Sequence, residues 1–446
     1  MRPTRRQFMH SMIAGSSLAT MGVDLAIADV PSGQSRTPSD ESYWHWIAQQ
    51  FLTNPKYTYM NTGTRGPSPR QVIKAQFEAI QAYDTDRLSY AKYVDSTETR
   101  ALLRARLANF VGCSDDEIAL TNNTTEGMAF GTLGLDLRAG DEIIYTNHDH
   151  SGGAQPVNLA CARFGARAVV VDLSGTQFHP PESEDVVVEA FAAAITPRTK
   201  LISFCHVNYT DGCCLPVKKI CALAREKGIL TLVDGAHPPG MLDLDIGDLG
   251  CDMYAGAGHK WLLAGMLTGF FYVRRDVLDR VWPLVYSGPV SGQSMYHEPV
   301  EDTAYNRQAK TAARYEMRGS KNFAGAASLR AALDFHEAIT PAAIEQRIHF
   351  LATKARTALR EVPGVQVYVS DDPALSAGLV PFVVNGVPPK TINTLLWDRH
   401  GIYIRDVTHA EINWAVNRAS LHIMVDAQQV SNFVEAVAEI AREHHA

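Results

Sequence analysis

Between about residues 100 and 275 the apolar positions change period repeatedly, helical stretches alternating with short runs rich in β-branched residues. Runs at 142–146, 168–172, 201–205, 230–233 and 269–273 predict strands, each ending in polar or Gly-rich sequence. Strands separated by helices predict a mostly parallel sheet with crossover helices, an α/β fold. Ligands in such sheets sit outside the carboxyl ends of the strands, which makes His206, Asn208 and Asp234 site candidates by position. The pattern becomes irregular between about 280 and 315, at Ser287-Gly288-Pro289 and Ser291-Gly292-Gln293, and helical periodicity resumes at 324–338 and 341–359. The last hundred residues mix strand patterns at 365–369 and 401–405 with a terminal helix at 427–444, as a smaller α+β domain does. A chain of 446 residues exceeds what one hydrophobic core sustains. The expected division is a large domain over 60–312, with 29–59 as an N-terminal arm and 313–446 as the small domain.

Composition narrows the class. With 46% apolar and 20% charged residues the chain is that of an ordinary globular protein. A formal charge of −7 offers no basic footprint for nucleic acid or an anionic membrane. The N-terminus reads differently. Thr4-Arg5-Arg6-Gln7-Phe8 precedes an apolar run over 12–21, and Ala26-Ile27-Ala28 supplies a small-residue cleavage site, so that residues 1–28 resemble a twin-arginine export signal. The run is too short and too rich in Gly and Ser to span a membrane. The expectation is a periplasmic or otherwise exported protein that meets the twin-arginine translocation machinery and has no membrane attachment after processing. That route carries folded proteins, often loaded with a cofactor, and so favours a bound cofactor. Seven cysteines without a CxxC pair, in a protein that folds in a reducing compartment, are expected as small buried hydrophobes, and no metal site is expected.

Four segments carry candidate chemistry. Thr121-Asn122-Asn123-Thr124-Thr125-Glu126-Gly127 opens a helix with hydroxyls and free N–H groups, suited to a phosphate and equally to ordinary N-capping. In Asn147-His148-Asp149-His150-Ser151-Gly152-Gly153 either histidine can stack on a ring, bind a metal or cap a strand end. Asp234, in Thr231-Leu232-Val233-Asp234-Gly235-Ala236-His237, closes a buried strand, where an unpaired carboxylate is costly. Lys260, in Gly256-Ala257-Gly258-His259-Lys260-Trp261, lies in an apolar, Gly-rich setting that lowers a lysine's pKa and frees its amine for a Schiff base, unless the chain snorkels to the surface.

The order of these segments, a Thr pair, a loop His, a strand-end Asp and then Gly-His-Lys, resembles the pyridoxal-phosphate (PLP) enzymes of fold type I. It is similar to the class V aminotransferase family, which includes isopenicillin N epimerase-like proteins and cysteine desulfurases. The similarity runs from Tyr59-Met60-Asn61-Thr62-Gly63-Thr64 to Arg418-Ala419-Ser420. Trp261-Leu262 after the lysine points to the epimerase-like branch, and some exported relatives tailor pyoverdine siderophores.

The resemblance implies a cofactor and a set of roles. Lys260 forms the Schiff base with PLP and later shuttles the Cα proton. Asp234 pairs with the pyridine nitrogen and keeps it protonated. His150 stacks on the ring face, and Thr124, Thr125 and His259 hold the phosphate. Ser320 donates to the phosphate of a neighbouring subunit, which implies a homodimer with shared sites. Arg405 and Arg418 bind a substrate carboxylate. His237 stands where relatives often have Gln near the ring's phenolic oxygen, with Asn208 and Tyr209 as rivals for that contact. Ala257 replaces a polar residue usual there, which removes one phosphate contact. The implied activity is at the Cα–H bond of an amino acid or small peptide amine, as an aminotransferase or epimerase. The alternatives are a cysteine desulfurase or C–S lyase, disfavoured because no cysteine follows Cys251 to accept sulfur, and an inert binding protein on this fold.

Overall fold

The computed structural model describes residues 36–173, 181–293 and 298–445. The export signal read at Arg5, Arg6 and Ala26-Ile27-Ala28 lies outside the described residues. Thirteen strands are described, beginning with β1 (Thr58–Tyr59). The main sheet comprises β2 (Ile118–Thr121), β3 (Glu142–Thr146), β4 (Arg167–Val171), β5 (Thr199–Cys205), β6 (Leu230–Gly235), β7 (Met253–Ala257) and β8 (Gly269–Val273), in the order β2-β8-β7-β6-β5-β3-β4. Strand β8 runs antiparallel to both its neighbours and the remaining pairs are parallel. Every residue of β6 is buried, as in a sheet covered by helices on both faces. Sequence periodicity misses β2 and β7. The first has four residues, and the second, Met-Tyr-Ala-Gly-Ala, holds small residues of low strand propensity.

The second sheet is built from β9 (Val365–Val367), β10 (Leu379–Val384), β12 (Arg405–His409) and β13 (Trp414–Ser420), antiparallel in the order β12-β13-β10-β9. Strand β11 (Ile402–Tyr403) pairs in parallel with β1, tying the N-terminal arm to the small domain. The sheet shares one core with the helices Pro341–Arg360, Pro389–His400 and Ala427–His445, through side chains such as Ile348, Leu396 and Phe433. The helix Phe323–Ile339 crosses from one core to the other: Leu329 and Leu333 pack with the large-sheet helices, Phe335 and Ile339 with the small domain. Glu316 is buried beside β2, where its carboxylate accepts the Leu120 N–H at 2.8 Å and faces Arg104 at 3.3 Å. No helix among the described residues is long and apolar enough to cross a membrane.

Candidate active site

Because β2, β3, β5, β6 and β7 run in the same direction, their carboxyl ends share one edge of the sheet. At that edge lies a cavity of 250 Å³, closed on the other side by β12 and β13. Thr124, Thr125, His150, Asp234, His237, His259, Lys260, Arg405 and Arg418 all line it, so nine of the ten site residues expected from sequence meet in one place. Ser320 does not line it and is exposed. Of the three candidates for the phenolic oxygen, Tyr209 and His237 border the cavity; Asn208 is turned to Asp211 at 3.4 Å.

Lys260 follows β7 in a tight turn. Burial lowers its pKa to about 8, Asp234 opposes the shift, and the charges of Arg418 and Arg405 add to it. The turn is clamped by the segment after β1: Gly66 donates its N–H to His259 O at 3.0 Å, and a Cβ at Gly66 would stand 2.0 Å from Lys260 O, so that only glycine permits the approach. Asp234 is the last but one residue of β6, with Oδ1 accepting the Ala236 N–H at 3.0 Å; burial raises its pKa, against Lys260 and that N–H. His150 is the N-cap of the helix Ser151–Phe164, its Nδ1 accepting the Gly152 N–H at 3.0 Å. The imidazole is open at the cavity mouth, yet burial of its inner side, followed by the charges of Lys260, Arg405 and Arg418, lowers its pKa to about 4. It is neutral at pH 7.

Two features escaped sequence reasoning. Asp149, beside His150, is buried with its carboxylate accepting the Thr146 N–H at 2.7 Å and the Cys205 N–H at 2.8 Å, which ties the ends of β3 and β5 and fixes the loop that delivers His150. Burial, with Asp234's charge, raises its pKa to about 6. Thr64 is the second. It donates to Asn61 at 2.8 Å and accepts from Arg405 Nη1 at 3.1 Å and Arg418 Nη2 at 3.5 Å. The two arginines face each other in register across β12 and β13. Among the described residues neither guanidinium has a carboxylate within 4.0 Å, although Arg418 is fully buried and burial, with Arg405 beside it, lowers its pKa to about 9. Gly63 makes room for the pair: a Cβ there would stand 2.9 Å from Arg418 Nη2. A signal for Thr64 exists only in its tertiary neighbours.

Whether these residues suit PLP is tested by one atom. Thr124 Oγ1 is buried at the first turn of the helix Thr124–Leu133, with no hydrogen-bond partner in the protein. An orphaned buried hydroxyl is costly, and an anionic oxygen at the positive end of that helix satisfies it. With a lysine of lowered pKa and a buried carboxylate on the same cavity, the donor set fits a phosphate-bearing, Schiff-base-forming group with a basic ring nitrogen.

The chain matches the family Aminotransferase class-V over residues 59–433. It is 31% identical over 372 residues to isopenicillin N epimerase of Streptomyces clavuligerus, covering 80% of this chain and 89% of that protein. It is 27% identical over 399 residues to a probable cysteine desulfurase of Methanothermobacter thermautotrophicus, covering 86% and 95%. Among solved structures, the cystine C–S lyase C-DES in complex with cysteine persulfide superimposes with a TM-score of 0.76 at 25% identity, over 86% of this chain and 98% of that one. A C-DES variant with glycine covalently linked to its PLP cofactor gives a TM-score of 0.77 at 24% identity, over 88% and 98%. The fold, the cavity and these relatives agree: the chain belongs to the class V aminotransferase family and is a PLP-dependent enzyme of fold type I.

Proposed function

We propose that this enzyme breaks the Cα–H bond of a substrate with an amine beside a carboxylate, as an epimerase or aminotransferase. We further propose that it is exported by the twin-arginine route and works as a homodimer. PLP supplies the sink for the electron pair left on Cα. Lys260, Asp234, His150, His237 and the Thr124–Thr125 turn with His259 are the residues that would hold it. Arg418, backed by Tyr209 O at 2.7 Å, grips the substrate carboxylate with its remaining N–H groups. A two-point hold on carboxylate and amine turns the Cα–H bond perpendicular to the ring, the geometry that its cleavage requires. Lys260 Nζ then takes the proton, with a pKa lowered close to neutrality as a general base needs.

The observation that carries this reading is the pair Arg405 and Arg418, cationic and without carboxylate partners on the cavity wall. None of the residues lining the cavity is a cysteine. Incubation with candidate amino acids in D₂O checks it: accepted substrates exchange Cα hydrogen, whereas rapid sulfide release from cysteine without such exchange overturns it for the desulfurase or lyase reading. Export rests on Arg5 and Arg6, whose joint replacement by lysine is expected to trap the precursor in the cytoplasm. The homodimer reading is supported by the exposed Ser320, which a partner's cavity would receive.

A further inference from the structure

We infer that Trp261 is a positioning residue that fixes His237 as its Nε2–H tautomer and so makes His237 a hydrogen-bond donor toward the phenolic oxygen of PLP. Trp261 Nε1 donates to His237 Nδ1 at 3.0 Å, and both side chains are buried. An indole nitrogen can only donate. Nδ1 must therefore present its lone pair, and the one ring proton of a neutral imidazole is left on Nε2. The same contact opposes a second proton, because an imidazolium would set N–H against N–H. Burial is the largest influence in the same direction, and the charges of Lys260 and Arg418 add to it, together holding the His237 pKa well below its ordinary value. With Nδ1 taken by Trp261, His237 lines the cavity that Lys260 and Asp234 share.

The donor works as a lock only if Trp261 cannot shift, and contacts to both its indole and its backbone hold it. Its ring stacks on that of His422 at 5.3 Å between centroids and 25° between planes. Its carbonyl accepts from His422 Nε2 at 2.8 Å, and the tautomer of His422 is itself set, because His422 Nδ1 accepts the Ile423 N–H at 2.7 Å. Its far edge lies over Gly378, where a Cβ would stand 2.7 Å from the indole Cη2. His336 Nε2 approaches the same carbonyl at 3.2 Å. His336 and His422 are buried, with pKa values lowered to about 4 and about 3, chiefly by burial, so both stay neutral at working pH. Because Trp261 directly follows Lys260, the anchor that orients His237 also holds the lysine's backbone.

The test replaces Trp261 by benzothienylalanine, which keeps the shape and the stacking but has sulfur in place of the indole N–H. Trp261→Phe serves as a second variant. In ¹⁵N-histidine-labelled protein without cofactor, with the His237 signals assigned by loss in His237→Asn, the native chain is expected to show protonated Nε2 and bare Nδ1. Both variants are expected to show a mixture of tautomers. In the PLP-loaded protein the pH midpoint of the cofactor's visible absorption change is expected to move upward by about one pH unit, tenfold in proton affinity, because an oxygen that loses its donor holds the neighbouring imine proton more tightly. The tautomer spectrum needs no cofactor and stands apart from the identity of the reaction. A proton on Nδ1 in the native chain overturns the inference, as does an unchanged midpoint in the benzothienylalanine protein.

Discussion

The two walls of the cavity are built on opposite electrostatic plans. On the large-domain wall the polar groups are met from within the chain: Asp234 by the Ala236 N–H and the longer-range pull of the Lys260 charge, Asp149 by two backbone N–H groups, and the neutral His150 by its hydrogen bond as N-cap. On the small-domain wall Arg405 and Arg418 face each other and share the lone pairs of one hydroxyl, that of Thr64. Burying a guanidinium without a carboxylate is unfavourable, and a fold keeps such a group where a ligand completes it. The compensated wall suits a resident cofactor that must be held in one geometry. The uncompensated wall suits an anionic substrate that arrives and leaves.

The largest effect belongs to the compensated wall. Lys260→Ala is expected to abolish turnover, by roughly 10⁴-fold or about 5 kcal/mol, since covalent link and base are lost together. PLP should remain bound only non-covalently. Borohydride reduction followed by mass spectrometry checks both points: the native protein carries the pyridoxyl group on Lys260, the variant on no residue. Label on another lysine would remove Lys260 from the site.

The uncompensated wall predicts a split between binding and stability. Arg418→Met is expected to lower kcat/KM about 100-fold, mostly through KM, because a charge-assisted hydrogen bond is worth about 1.5–3 kcal/mol. It should leave the unfolding midpoint of the cofactor-free protein unchanged or higher, since the lost pairing with Tyr209 O is offset by removal of a buried, unanswered charge. Arg405→Met, at an exposed position where water screens the charge, should cost only about 1 kcal/mol. The pH dependence follows from the same charges. In the role proposed for it Lys260 sheds its proton to capture PLP, so uptake by the cofactor-free protein should rise with pH through about 8. In Arg418→Met that midpoint should move upward, because one of the cations that depress the lysine is gone. An unmoved midpoint, or equal losses at the two arginines, would break the contrast between the walls.

How legible each wall was in the sequence follows from the same difference. Asp234 and Lys260 lie at a strand end and just past one, in segments whose local composition already signals a buried carboxylate and a desolvated amine. The strand pattern placed β3, β5, β6 and β8 within a few residues, because burial on both sides makes them continuous apolar runs. Thr64 was silent: its meaning depends on two arginines more than 340 residues away in the chain, brought together by antiparallel register. Asp149 was passed over between two histidines, since nothing local distinguishes a carboxylate that ties two strands from one that faces solvent. Tyr209 and Asn208, adjacent in sequence, were separable only once the backbone turned Asn208 toward Asp211.

An effect smaller than that of Arg418 returns to the compensated wall and its one unanswered group. Thr124 Oγ1 is buried without a partner in the protein. Thr124→Val keeps the shape and deletes the hydroxyl, so the cofactor-free protein loses nothing that was satisfied and sheds the desolvation cost of an orphaned group. Its stability should be equal or higher by about 1 kcal/mol, measured by thermal unfolding without PLP. With PLP the sign reverses. The hydroxyl that was a liability becomes a donor to a dianionic phosphate, worth about 1.5 kcal/mol, and its loss should weaken cofactor affinity roughly tenfold in an equilibrium titration. Asn123, which caps the same helix by accepting the Glu126 N–H at 2.9 Å, gives the control. Asn123→Ala should lower stability with and without cofactor, because its bond is made in both states. If Thr124→Val destabilises the cofactor-free protein as Asn123→Ala does, the hydroxyl was a structural cap after all, and the large-domain wall holds no group that waits for phosphate.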